Sequence, residues 1–251
     1  MRRRLIILST QIGFFALLLG AWALASYTKA VSPDLLPPPT KVASALIALV
    51  GRQDVLVSLG PTLGSVFASV LIAVPVGLLL GFTIASNRYW RDVLRPILYF
   101  PLSIPKSIFL PLFILAFGIG QLEAIAFGIF SVVFYIIVIS ISAAEVVSRD
   151  HIRVAQSYGA TFKQKLLYVY LPSVVPLILE GVRLSLIFGF TAILMAEMYA
   201  SKGGFGRTIA TWAETYSIDR LLAGVFLISA IAVILNELLR GVERYVDRWR
   251  T

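Results

Sequence analysis

Apolar residues along this chain come in long unbroken blocks separated by short polar or basic stretches, a pattern with no soluble-domain alternation in it. The blocks cover roughly 5–27, 59–85, 97–117, 122–143, 173–198 and 220–239. Each reaches the roughly 20 residues that a helix needs to cross a hydrocarbon core about 30 Å thick. The pattern therefore predicts an all-α membrane protein with six transmembrane helices in a single domain, 1–251. The first block follows a basic start, Met1 to Arg4, and Ala23-Leu24-Ala25 resembles a signal-peptidase site. It outruns the ~7–15 apolar residues of a signal peptide, which favours an uncleaved first span.

The breaks between blocks carry their own signals. Residues 31–54 are expected to form a loop, because Pro33, Pro37, Pro38 and Pro39 forbid a regular helix at its start. Residues 87–95, with Arg88, Arg91 and Arg95, read as a short basic loop, and 199–219 as another loop around Lys202-Gly203-Gly204-Phe205-Gly206. Pro101, Pro105 and Pro111 interrupt the third block. Prolines are tolerated at membrane depth where neighbours or a cavity satisfy the freed carbonyls. The stretch from Pro105 to Gly118 is too short to cross alone, so the span starts earlier and Lys106 lies some way into the membrane. In the second block Gly60, Gly64 and Ala68 lie four apart, and Gly77 and Gly81 repeat the spacing. Small residues on one face let helices approach closely, and packing within the chain is favoured over a dimer seam.

Between the fourth and fifth blocks lies a basic segment, Asp150 to Pro172. Ile152, Ala155, Phe162, Leu166 and Val169 recur there at helical spacing. Gly159 can end one helix in the left-handed conformation, and Thr161 can cap a second, with Gln164 completing a capping box. Two short exposed helices meeting at a glycine are expected.

Gly159, nine residues, Val169, one residue, then Leu171-Pro172 resembles the cytoplasmic loop signature of the permease subunits of ABC importers. Gly181-Val182-Arg183 and Ala196-Glu197-Met198 bring the nitrate/sulfonate/taurine group nearest, and the resemblance covers roughly Leu59 to Trp249. It departs at Arg153-Val154-Ala155, where the family carries Glu-Ala-Ala. The resemblance implies a type I ABC importer permease fold, with a cytoplasmic coupling loop at 148–172. Its ATPase contacts would come from Arg153, Ala155, Gly159, Ala160, Phe162, Leu166, Leu171 and Pro172. It further implies a homodimer, ATP-binding subunits that hold the ATP and Mg, an external solute-binding protein, and the bacterial inner membrane.

Composition agrees with this reading. Charged residues make up 14% of the 251 residues, well under the roughly 25% of ordinary domains. The net charge of +9 could suggest nucleic acid, but fourteen Lys and Arg lie on the side of the two termini and six on the other. The positive-inside rule then places both termini and the 148–172 loop in the cytoplasm, with no nucleic-acid partner.

Chemistry has little to work with. There is no cysteine, no phosphate-binding G-x-x-x-x-G-K-[ST] and no cluster with metal-ligand spacing, so no metal site and no catalytic residue are assigned. The sole histidine, His151, reads as a solvated first-turn residue. What remains is charge at membrane depth: Lys106, Glu180, Arg183 and Glu197, each costing about 2.5–3.5 kcal/mol at mid-bilayer if unpaired. Glu180 and Arg183, three apart, are expected to pair with each other, with a place in the translocation pathway or its gate as the alternative. Arg183 also matches the family's Gly-x-Arg position, which implies a structural or gating role. Glu197 is expected near the outer end, at water or at an external gate. Lys106 is the best candidate for a pathway-lining cation, with snorkelling to the cytoplasmic surface as its alternative.

The reading is a non-enzymatic permease subunit for a small anionic solute such as a sulfonate, taurine or nitrate. The same role for a vitamin precursor or aromatic acid is the near alternative. A self-contained secondary transporter would show repeated halves, which are not evident, and an intramembrane enzyme would need its histidine at depth.

Overall fold

A computed structural model of the chain describes residues 2–32 and 34–247, and among these every regular element is helical. Met1, Pro33 and the Arg248–Thr251 end of the basic tail lie outside the described residues, as do the side chains of Arg2, Arg3, Arg4 and Arg149. Five helical runs are long and apolar enough to cross a membrane: Ile6–Tyr27, Gln53–Ala85, Gln121–Val146, Phe162–Ala200 and Ile218–Arg244. The third expected span exists only as a pair, Arg88–Ser103 and Lys106–Phe117, bent by 86°. Counted as one, the pair completes six.

The helices are α1 (Arg2–Tyr27), α2 (Pro39–Val50), α3 (Gln53–Ala85), α4 (Arg88–Ser103), α5 (Leu110–Phe117) and α6 (Gln121–Val146). They continue with α7 (Arg149–Ser157), α8 (Phe162–Lys165), α9 (Leu171–Ala200), α10 (Phe205–Glu214) and α11 (Ile218–Asp247).

Three stretches expected as loops are helical instead. The prolines before α2 fix where the helix starts and do not prevent it. Pro38 is the extended N-cap and Pro39 stands in the first turn, where a missing N–H is no loss. The basic stretch after α3 forms the opening turns of α4, because the Asn87 side chain accepts the Tyr89 N–H at 2.9 Å and caps it. Arg91 and Arg95, four residues apart on one face, both reach Glu145 near the end of α6, at 3.3 and 2.5 Å. The 199–219 stretch contains α10.

The chain divides into two compact units. In the one formed by Met1–Val57 with Thr208–Ala230, α1 is exposed along most of its length, as an apolar lipid-facing span requires. Its end is tied down where Trp22 Nε1 donates to the Pro37 carbonyl and Ser26 to the Leu36 carbonyl, both at 3.0 Å.

In the other unit, Ser58–Arg207 with Ile231–Thr251, the core sits where α3, α6 and α9 meet. Ala73, Val132 and Ile136 form its centre. A Cβ on Gly77 would come within 2.6 Å of Ile136, and one on Gly81 within 2.5 Å of Ser140 and 2.7 Å of the Ile137 carbonyl. Those two glycines are therefore the packing seam within the chain, whereas Gly60 and Gly64 face no atom within 4 Å.

Candidate functional site

The elbow forms as its residues dictate. Ser148 caps α7 by accepting the Asp150 N–H at 3.2 Å. Gly159, at φ 69°, then ends the helix: its N–H reaches the Gln156 carbonyl at 2.9 Å, and the Ala160 N–H reaches that of Ala155 at 3.0 Å. This is a Schellman closure, which requires a left-handed residue at that point. Thr161 opens the next helix with a reciprocal box: its N–H donates to Gln164 Oε1 at 2.8 Å, and the Gln164 N–H returns to Thr161 Oγ1 at 3.3 Å.

The elbow is anchored at both ends. Ile152 and Val169 pack against Ala143, Val147 and Val174, so the two ends of the apolar stripe serve the bundle. What the elbow leaves free is Val154, Tyr158, Phe162 and Tyr168, with Tyr158 and Phe162 about four-fifths exposed at 86% and 78%. Tyr158 and Tyr168 were missed in the sequence because they fall between the positions of the stripe. Ala155 and Ala160 are half-buried, Leu166, Leu171 and Pro172 are exposed, and Arg153 meets Asp150 at 3.5 Å in solvent.

No break separates the elbow from the membrane. Residues 166–170 form a π-helical turn, in which the Leu171 N–H reaches back five residues to the Leu166 carbonyl, and α9 follows directly. The helical run that carries the fifth span thus extends without a break from Phe162 in the elbow to Ala200. Pro172 has no N–H for the carbonyl four residues earlier and its ring would crowd it, which favours the widened turn.

The four charges expected at depth separate into three settings. Lys106 begins a 3-10 turn, Lys106–Phe109, at the 86° break between α4 and α5. Its Nζ donates to the Ser131 carbonyl in α6 at 2.6 Å and lies 5.6 Å from the centre of the Phe188 ring. It points into the bundle and does not snorkel to a surface.

Arg183 does not pair with Glu180. Its Nε reaches Glu243 of α11 at 3.0 Å and its Nη1 reaches Asn236 at 3.3 Å, because two groups on a facing helix offer better geometry than one three residues back. Glu180 stays half-buried on α9 beside this cluster.

Glu197 does not sit at water either. It is 3% exposed, and its Oε2 accepts Thr62 Oγ1–H at 2.7 Å and the Gly206 N–H at 2.9 Å. The carboxylate therefore closes the glycine turn back onto α3, a structural latch.

Two groups were not singled out in the sequence. Glu123, in the first turn of α6, is fully buried, and neither of its carboxylate oxygens has a hydrogen-bond partner among the described residues. An acid one residue inside an apolar block was the available signal. Ser131 is 2% exposed with an unpartnered hydroxyl, and nothing in its apolar surroundings sets it apart in one dimension. His151 is exposed, as expected of a first-turn residue.

Comparison with known proteins agrees with this architecture. Residues 73–251 match the family described as binding-protein-dependent transport system inner membrane component. The chain is 31% identical over 248 residues to the taurine transport system permease protein TauC of Escherichia coli (strain K12), covering 95% of this chain and 89% of that one. It is 23% identical over 235 residues to the putative aliphatic sulfonates transport permease protein SsuC of Bacillus subtilis (strain 168), covering 94% and 85%.

Among solved structures, the MetNI methionine ABC transporter in an inward-facing conformation superposes with a TM-score of 0.66 at 20% identity, over 76% of this chain and 95% of that one. A bacterial ABC transporter that imports the acidic polysaccharide alginate gives 0.63 at 17% identity, over 97% and 99%. These likenesses show the fold, that of the type I ABC importer permeases. With the family match extending over well above half of its length, the chain belongs to the binding-protein-dependent transport system inner membrane components.

Proposed function

We propose that this chain builds the translocation pathway of an ATP-driven importer for a small anionic solute of the sulfonate class. The 148–172 elbow would couple it to a separate ATPase in the cytoplasm, where the charge asymmetry of the loops also puts both termini. A second permease copy completes the pathway, and an external binding protein delivers the solute. ATP and Mg belong to the partner subunit.

The observation that carries this reading is the continuity of the elbow with the fifth span. A grip on Phe162 is a grip on the helix that runs to Ala200. ATP binding can shift the two permeases between inward- and outward-open states only if the nucleotide-bound ATPase pair fits one elbow arrangement better than the other. Exposed Tyr158 and Phe162 on either side of Gly159 give such a partner apolar surface to close upon.

The test is Gly159→Trp in the assembled complex. The space at Gly159 is open, so the bundle has no clash to absorb. A side chain at its φ of 69° strains the turn, so Gly159→Asn, which tolerates that φ, serves as the control for strain, and only the indole blocks the partner's approach. Insertion and pairing of the two permease copies persist, and ATP hydrolysis stimulated by the loaded binding protein is lost in Gly159→Trp but kept in Gly159→Asn. Normal stimulation would refute the coupling role.

A further inference from the structure

At the α4–α5 break the chain holds a cleft of about 500 Å³ whose walls include Lys106, Ser107, Phe127, Ser131, Phe188 and Thr191. That is within the usual range of small-ligand sites, roughly 300–1,000 Å³. Ser131 lies ten residues into α6, about 15 Å along the helix, near the middle of a hydrocarbon core about 30 Å thick.

Two unspent groups meet there. The Lys106 ammonium has three N–H donors and gives one to the Ser131 carbonyl. Among the described residues no carboxylate stands within ion-pair distance of it. Ser131 Oγ, almost fully buried, has no partner, although Ser140 and Ser142 of the same helix give their hydroxyls to the carbonyls four residues back at 2.6 and 3.1 Å. That local bond is the default for a serine in a membrane helix, so the free hydroxyl of Ser131 stands out. A lysine at this depth facing lipid is costly, whereas one facing an anion or a water-filled passage is not.

We propose that this cleft is a solute site of the permease itself. It takes the oxyanion head of a small alkanesulfonate between Lys106 Nζ and Ser131 Oγ, and lays the short carbon tail against Phe127 and Phe188. The proposal rests on the sulfonate reading above and adds to it: the permease recognises its solute, in addition to the external binding protein. A sulfonate has three oxygens, enough to accept from ammonium and hydroxyl together and keep one for water.

The experiment uses the permease–ATPase complex in nanodiscs without the external binding protein, with ethanesulfonate as the probe and calorimetry as the readout. Saturable binding is expected for the native complex. It weakens about tenfold or more in Lys106→Met, the loss of a hydrogen bond to a charged group, weakens less in Ser131→Ala, and survives in Lys106→Arg. Co-elution of each variant with the ATPase guards against misfolding, and Ser131→Ala, a small change, keeps the test open if Lys106→Met does not assemble.

Equal binding by the native complex and both variants overturns the site, as does no saturable binding by a native complex that still imports ethanesulfonate once the binding protein is added. Those results leave the sulfonate reading standing. A complete importer that carries propionate or choline but no ethanesulfonate overturns the sulfonate reading itself.

Discussion

Glu197 near the end of α9 and Thr62 on α3, 135 residues apart in sequence, are joined by a buried hydrogen bond of 2.7 Å. The same Thr62 hydroxyl accepts the Phe205 N–H at 2.8 Å, and Gly206 donates to the same carboxylate oxygen. One acid thus holds three separate segments at one end of the core. The turn it closes leaves no room above it, since a Cβ on Gly206 would lie 2.6 Å from that of Glu197.

Removing this acid takes the acceptor from the Gly206 N–H, while the Thr62 hydroxyl can still turn to the Ser58 carbonyl at 3.3 Å. Glu197→Ala is expected to destabilise the chain by about 1–3 kcal/mol per donor left buried and unpaired. Glu197→Gln keeps an acceptor oxygen and costs less. Melting of the detergent-solubilised complex checks both, and equal melting temperatures for native and Glu197→Ala would show that the latch holds nothing.

Arg183 and Glu243 form the second long-range tie, with side chains 20% and 18% exposed. Breaking a buried pair by removing one partner costs about 3–5 kcal/mol because the other charge is left behind. The partial exposure here puts the expected loss for Arg183→Gln at about 3 kcal/mol, the low end of that range. Adding Glu243→Gln to Arg183→Gln should recover part of the loss. A double variant as unstable as the sum of the singles would mean the two side chains do not interact.

The two glycine sets in α3 should respond with opposite signs. Gly81→Ala forces its methyl into Ser140 and the Ile137 carbonyl, and overpacking of this kind costs about 1–3 kcal/mol. Gly64→Ala meets open space at a helical position, and relief of backbone entropy makes it neutral or stabilising by about 0.4–1 kcal/mol. Thermal stability of the two variants, compared side by side, decides the point.

That contrast shows where one-dimensional reading runs out. Spacing of four identified both sets as small-residue faces, but which face meets a neighbour depends on the rotation of α3 against α6. The elbow was legible because its signals are local: the Gly159 Schellman closure and the Thr161–Gln164 box are decided within five residues of chain. Glu243 and Thr62, the far partners of Arg183 and Glu197, lie 60 and 135 residues away and could not be read off a spacing rule. The same holds for Glu145, which turns the basic stretch at Arg91 and Arg95 from a loop into a docked helix. The rule that pairs residues three apart misplaced Arg183, since facing helices in a bundle offer acceptors that a single helix does not.

The π turn at 166–170 yields the last prediction. An i−5 bond accommodates one more residue than an α turn, so side chains before it are rotated by about 100° relative to an unbroken helix. The phase of Phe162 and Tyr158 relative to the fifth span therefore depends on that turn. Pro172→Ala restores the missing N–H and removes the ring, which allows the segment to tighten into an α-helix. Tightening rotates the exposed elbow face away from its present direction. Because the chain has no cysteine, Lys163→Cys, exposed beside an intact Phe162, reports that direction without background from this chain. Its cross-linking to the ATPase subunit, and solute-stimulated ATP hydrolysis, should both fall in Pro172→Ala, while insertion persists. Unchanged cross-linking and stimulation would mean that the widened turn plays no part in aiming the elbow.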